Sequence, residues 1–191
     1  MLSLTGVRDS ATEPCPAAGG EVSHPFFRRT AREVLSAQAC FGAKVTMPRP
    51  KSAAARAGIK FEAQVVEQLA KRYGSHFAAA IPFTFCESSP ARGFSRPSTA
   101  IPDGLLLGPD GRSLCVVEIK LRHGGDAWHQ LNRFYLPILR KCLRGAFHLR
   151  VLEICANYDP GVKLPNGTDV LNDVDEVWAA KRHPVLLWSR R

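Results

Sequence analysis

One strand-sized segment restricts the fold more than any other. Leu114-Cys115-Val116-Val117 is a continuous apolar run, and a run of that kind is buried on both faces, as a central strand with a layer on each side is. Glu118 and Lys120 then interrupt it. They stand two residues apart and so share one face, while Ile119 and Leu121 turn to the other. A buried charge without a partner is costly, so such a pair is ion-paired, bound to a metal, or set on an edge strand with one solvated face. The fold must supply a layer on each side of this strand, and the charges on it need an explanation.

The flanking segments offer one. Ala100 to Leu107 reads as a strand, and Gly108-Pro109-Asp110-Gly111 is a strong turn signal. The two strands therefore form a hairpin that carries Asp103 toward Glu118. A two-residue loop at Pro109-Asp110 sets Asp103 opposite Val116, on the face of Glu118 and Lys120. A three-residue loop with Gly111 as a bulge shifts the register by one and turns Asp103 away. Pro102-Asp103-Gly104 also fits an ordinary turn.

Helices are expected on either side of the hairpin. From Ala53, Phe61, Val65, Val66, Leu69 and Tyr73 recur at helical spacing, and Gly74 can end the helix. Glu62 shares a stripe with Val66, Leu69 and Tyr73, which puts a carboxylate on the face that should meet the sheet. A first-turn Glu favoured by the helix dipole, with the apolar stripe starting one turn later, fits equally well. Residues 126–144 read as a second helix with Pro137 as a kink. On it, Gln130 borders an apolar face made by Phe134, Tyr135, Ile138 and Leu139.

Further strands are expected at Ile81-Pro82-Phe83-Thr84-Phe85, over 149–156 and over 185–188, with a short helix over 173–181. Residues 88–98 and 159–172 read as loops. The order is helix, three strands, helix, strand: an α/β fold with a mixed central sheet flanked by helices. Residues 1–50 read as an N-terminal extension. It has a poorly ordered Gly- and Pro-bearing tail to about 25, a short helix over 30–40 from the capping-box pair Thr30 and Glu33, and a basic linker at 48–51. Residues 51–191 form the folded domain.

Lys plus Arg total 26 against 17 Asp plus Glu, a net charge of +9. That surplus favours contact with a polyanion, most often nucleic acid and sometimes an acidic membrane surface, while charge alone fits a plain basic protein equally well. Six cysteines show neither C-x-x-C nor zinc spacing, so free thiols in a reducing compartment are expected. No apolar run approaches a membrane span, and no basic segment precedes an apolar one at the N-terminus. A cytoplasmic protein, neither secreted nor membrane-bound, is the expectation.

Glu62 in Gly58-Ile59-Lys60-Phe61-Glu62, Pro102-Asp103, Glu118-Ile119-Lys120 and Gln130 together resemble the active site of PD-(D/E)xK (restriction-endonuclease-like) nucleases. The RecB-like, VRR-NUC and Holliday-junction-resolvase branches look nearest, and the resemblance spans roughly residues 53–157. It implies an αβββαβ core and Mg²⁺- or Mn²⁺-dependent hydrolysis of DNA phosphodiesters, guided by structure or ends more than by strict sequence. It also implies roles: Asp103, Glu118 and the Ile119 carbonyl hold the metal, and Glu62 completes the site directly or through water. Lys120 orients the attacking water and stabilises developing charge, and Gln130 positions water or phosphate. Lys60, Arg122, His123 and Arg133 flank the cleft as backbone contacts. RecB-like relatives usually carry Tyr four residues after the Gln; here Phe134 stands there and Tyr135 follows. Their cluster-binding cysteines are not recognisable, so no iron–sulfur cluster is expected. Many relatives pair two sites across a duplex, which leaves a homodimer open. The competing readings are a DNA-binding module on the same fold that does not cut, and an interaction protein in which the motif is accidental.

Overall fold

The computed structural model describes residues 34–40, 52–88, 97–159, 161–164 and 166–188. A six-stranded mixed sheet lies at the centre, with strands β2 (Phe77–Ala79), β5 (Gly104–Leu107), β6 (Ser113–Arg122), β7 (His148–Asn157), β9 (His183–Leu187) and β8 (Thr168–Leu171) in that order. β2, β5 and β6 pair antiparallel, while β6, β7, β9 and β8 run parallel. A second sheet holds β1 (Val34–Ala39), β3 (Phe83–Glu87) and β4 (Ser98–Ala100), in the order β1-β3-β4. The α/β layering expected from the sequence is present.

Helix α1 (Ala53–Tyr73) starts at Ser52, whose side chain accepts from Ala55 N, and stops at Gly74, where φ is +54°. It covers one face of the large sheet. Phe61, Val65 and Leu69 pack there on Cys115, Val117, Ile119, Leu152 and Ile154. The buried line is thus Phe61/Val65/Leu69; Glu62, Val66 and Tyr73 flank it, half-buried. The expected stripe through Glu62 is off by one residue, because Phe61 and Val65 bury more apolar surface than a line through a carboxylate can. The odd-numbered residues of β6 face α1, as the alternation requires.

The other face carries a second helical stretch. It begins as α2 (Gly125–His129), widens into a π-helical segment (Gln130–Tyr135) and continues as α3 (Leu136–Leu143). Pro137 has no N–H and crowds the preceding turn. The stretch absorbs this by a bond from Leu136 N to Leu131 O, one residue longer than an α-helical bond. A wide turn thus interrupts the expected helix just ahead of Pro137. Leu131, Phe134, Ile138 and Leu139 pack on Leu105, Leu114 and Val116 of the large sheet and on Phe83 and Phe85 of the small one.

Several expectations are corrected. Val34–Ala39 is a strand, not part of a helix over 30–40, and it pairs with β3. The strand at Ile81–Phe85 exists but belongs to the small sheet; the large sheet opens instead with the short strand β2. The strand over 100–107 is broken into β4 and β5. The loop over 159–172 contains β8. The tail over 1–25, the Thr30–Glu33 capping box, the linker at 48–51 and most of the 88–98 loop lie outside the described residues. Among the described residues no helix is long and apolar enough to cross a membrane, and the five cysteines there are all free thiols.

Candidate active site

The hairpin register decides which groups meet. β5 pairs β6 through Leu107↔Leu114, Leu106↔Cys115, Leu105↔Val116 and Gly104↔Val117. One further rung joins Gly108 N to Ser113 O at 2.7 Å, leaving a four-residue loop over 109–112. Neither loop length anticipated from the sequence occurs. Asp110 explains this: its Oδ1 accepts from Arg112 N at 2.9 Å and Ser113 N at 2.8 Å, and its Oδ2 accepts from the Ser113 hydroxyl at 2.7 Å. These bonds pull its pKa down to about 2. Gly111 supplies the positive φ, +63°. The register differs by two from the first expectation, so the facing is preserved and Asp103 is next in line to Glu118 rather than to Val116.

Asp103 lies just before β5, where the strand ladder has stopped. Its Oδ2 accepts from Ile119 N at 2.6 Å, as a main-chain carbonyl would have done one rung further on. In a strand a residue's N–H and C=O leave along the same edge. The Ile119 carbonyl therefore points to this edge too, beyond the last rung at Gly104↔Val117. Gly104 is needed here: a Cβ on it would lie 2.5 Å from the ring of Phe77 on β2.

Glu118 is buried, at 1% exposure. Its Oε1 accepts from Lys120 Nζ, and its Oε2 is buried with no partner. Glu62, Asp103, Glu118 and Lys120 act on one another electrostatically. Burial first, then Glu118 and Glu62, push the Asp103 carboxyl well above the usual carboxylate range, against Lys120 and the Ile119 N–H. Glu62 is raised by burial and Glu118, and Glu118 by burial, with Lys120 opposing. For Lys120, burial favours the neutral amine, but Glu118, Asp103 and Glu62 outweigh it and keep the ammonium. Among the described residues, three carboxyl groups thus act on the one Lys120 ammonium.

Gln130 is buried at the start of the π-helical segment, which packs against β6, and its Oε1 has no partner. Tyr135 belongs to the same neighbourhood, and the sequence reading gave it no role. Its hydroxyl donates to Ile101 O at 3.0 Å, and after burial its pKa is raised most by Glu118, Asp103 and Glu62. The signal was the Gln-to-Tyr spacing, five residues where an α-helix would call for four. The π turn, with its i→i+5 bonding, makes five residues the spacing of one turn.

The four expected backbone-contact residues divide. Lys60, Arg122 and Arg133 are exposed, and the Arg133 guanidinium lies 5.5 Å from the Trp128 ring centre. His123 is a correction. It is buried, and its Nδ1 lies 3.1 Å from Glu153 Oε1. A second buried imidazole, His183, brings Nε2 to 3.0 Å from Glu153 Oε2. His123 ties the end of β6 to β7 and faces no solvent, because Glu153 needs partners that the surrounding apolar strands lack.

Among the described residues no group of three or more His, Cys, Asp or Glu side chains stands ready as a metal-binding set. The oxygen donors at the β5–β6 edge are the Asp103 carboxylate, the unpartnered Glu118 Oε2 and the Ile119 carbonyl, with Glu62 alongside. These are hard donors of the kind Mg²⁺ and Mn²⁺ prefer. No family model, curated protein or solved structure matches the chain.

Proposed function

We propose that the protein is a metal-dependent nuclease that hydrolyses DNA phosphodiester bonds at the β5–β6 edge, on a PD-(D/E)xK-type αβββαβ core. One observation carries the reading: Asp103, Glu118 and Glu62 converge on Lys120 with a Glu118 oxygen left buried and unpartnered. Burial and mutual repulsion disfavour the charged form of all three carboxyl groups, and a divalent cation would reverse that preference. Asp103, Glu118 and the Ile119 carbonyl would hold Mg²⁺ or Mn²⁺, with Glu62 completing the set. Bound there, the ion would supply charge neutralisation at the phosphate and lower the pKa of water.

The side chains divide the remaining work. Lys120, held charged beside Glu118, stabilises negative charge as it develops on the phosphate. Asp103 is held at its Oδ2 by Ile119 N, which orients its carboxylate before any ligand arrives. Gln130 offers a carbonyl oxygen with no competing partner for a water. Tyr135 pins Ile101, two residues before Asp103, and so positions the loop that carries it. The net charge of +9 and the exposed Lys60, Arg122 and Arg133 suit the phosphodiester backbone.

The test is a digest of linear, nicked, branched and single-stranded DNA, and of RNA, with Mg²⁺ and with Mn²⁺. Metal-dependent cutting is expected, with Lys120→Ala slowing it by at least about 10²–10³-fold and Asp103→Asn abolishing it. Equal cutting by wild type and both variants overturns the assignment. Salt-sensitive DNA binding with no cutting under any condition would make the protein a binding module instead.

A further inference from the structure

A cleft of about 460 Å³ opens on the α1 face of the large sheet, the face opposite Glu118 and Lys120. Its walls are the first half of α1, the ends of β6 and β7, and Trp188 just after β9. Ligands of open α/β sheets collect at the carboxyl ends of strands, where this cleft lies, and its volume falls in the range of small-ligand sites. We propose that it takes the base of one unpaired nucleotide, so that the nuclease site acts on nucleic acid with a single-stranded or splayed segment. This inference rests on the nuclease reading and names its substrate class.

The chemistry of the walls carries the assignment. Phe61, Leu121 and Trp188 offer apolar and aromatic surface for a flat ring. Gln64 and Asn157 supply carboxamides, whose paired donor and acceptor match the edges of bases. Asn157 is held in place by its Nδ2, which donates to Leu121 O at 3.3 Å, leaving its Oδ1 as the acceptor for a ligand. Trp188 is pinned by its backbone N–H, which donates to Cys155 O at 2.8 Å. Among the described lining residues Lys60 is the one cation and none is acidic, which suits a ligand that carries a phosphate. A base inside a duplex has both faces stacked and its edge paired, so only an unpaired base can enter.

The cleft is also joined to the proposed site through the chain. Lys60 and Phe61 immediately precede Glu62 on α1, and Leu121 immediately follows Lys120 on β6. Alternation along β6 sends Lys120 and Leu121 to the two sides of the strand end, with Leu121 on the α1 side. A strand with its phosphate at Lys120 can therefore seat a neighbouring base past the end of β6.

Binding in EDTA, where metal-dependent cutting is blocked, separates this inference from the nuclease reading. Fluorescence anisotropy would compare a labelled oligothymidylate with an abasic strand of equal length, which has the same phosphates and no bases. Wild type should bind the oligothymidylate at least about fivefold more tightly than the abasic strand, the low end of the effect of one base–aromatic stack. Trp188→Ala and Gln64→Leu should each bring that ratio toward one without weakening the abasic strand. Gln64 lies on an exposed turn of α1, so that variant tests the idea even if Trp188→Ala fails to fold. A ratio near one in wild type, or an unchanged ratio in Gln64→Leu, overturns the pocket whatever the digest shows. A clear ratio with no cutting leaves the pocket standing and removes the nuclease.

Discussion

Glu118 and Glu153 stand on neighbouring parallel strands as Cα partners, and both are buried, at 1% and 0% exposure. Glu153 has a histidine on each oxygen, His123 at 3.1 Å and His183 at 3.0 Å. Glu118 has Lys120 on one oxygen and nothing on the other. Stability accounts for the carboxylate in the first arrangement, because both its oxygens are bonded, although the outer nitrogens of the two imidazoles, His123 Nε2 and His183 Nδ1, are buried without partners. It does not account for the second. A half-bonded carboxylate beside two more carboxylates costs folding energy, and the positions that carry such a cost are those where a ligand completes the set. The pair thus separates a structural acid from a candidate ligand on a single rung of the sheet.

The largest expected effect is on folding. Glu153→Ala leaves two buried imidazoles facing a void and should lower unfolding free energy by about 3–5 kcal/mol. Glu118→Ala should cost less, roughly 0–2 kcal/mol, because it removes an unpartnered oxygen and Lys120, at 25% side-chain exposure, can turn to solvent. Urea unfolding of both variants measures this, and equal losses would erase the distinction. Next comes the cation. Mg²⁺ at a hundredfold excess over its dissociation constant should stabilise wild type by about 2.7 kcal/mol. Thermal melts with and without EDTA read this, and Glu118→Ala and Asp103→Asn should lose the gain while Glu153 variants that still fold keep it.

Two smaller effects concern the hairpin that brings Asp103 to Glu118 and leaves Glu153 untouched. Gly104→Ala drives a methyl group into the Phe77 ring and should cost about 1–3 kcal/mol, with metal binding weakened alongside, since Asp103 is the preceding residue. Unchanged stability in a melt would mean that the β2–β5 contact is loose. Asp110 is the smallest case. Its folded pKa of about 2 lies below the ordinary carboxylate value of about 4. Its stabilising contribution is therefore complete above pH 4 or so and fades as pH falls toward 2. The melting-temperature gap between wild type and Asp110→Asn should be widest at neutral pH and close over that window. A gap that stays constant would remove Asp110 from the control of the turn.

Much of the fold was legible because it is local. The start of α1 near Ala53 and its stop at Gly74, the buried run at 114–117 and the turn at 108–111 all rest on spacing within a few residues. The facing of Glu118 and Lys120 against Ile119 and Leu121 follows from alternation alone. What was misread is non-local. Val34–Ala39 carries a helix-like start signal but has β3 as a neighbour, and pairing outweighs propensity. The Ile81–Phe85 strand looked like the first strand of the large sheet, and nothing within it specifies which sheet it joins.

The candidate site divides in the same way. The sequence by itself determined the chemical inventory: Glu62, Asp103, Glu118, Lys120 and Gln130 in that order, on helix, strand and helix. Local periodicity and residue type are enough for that. Only the tertiary structure decided how they meet. Asp110 set a four-residue loop, which no count of turn residues predicts, and the loop set Asp103 next in line to Glu118. The π turn before Pro137 set Tyr135 one turn from Gln130. His123, expected at the surface, was drawn inside by Glu153, thirty residues away. Register, helical pitch and the pairing of buried charge depend on partners distant in the chain, and a sequence lists those partners without saying which will touch.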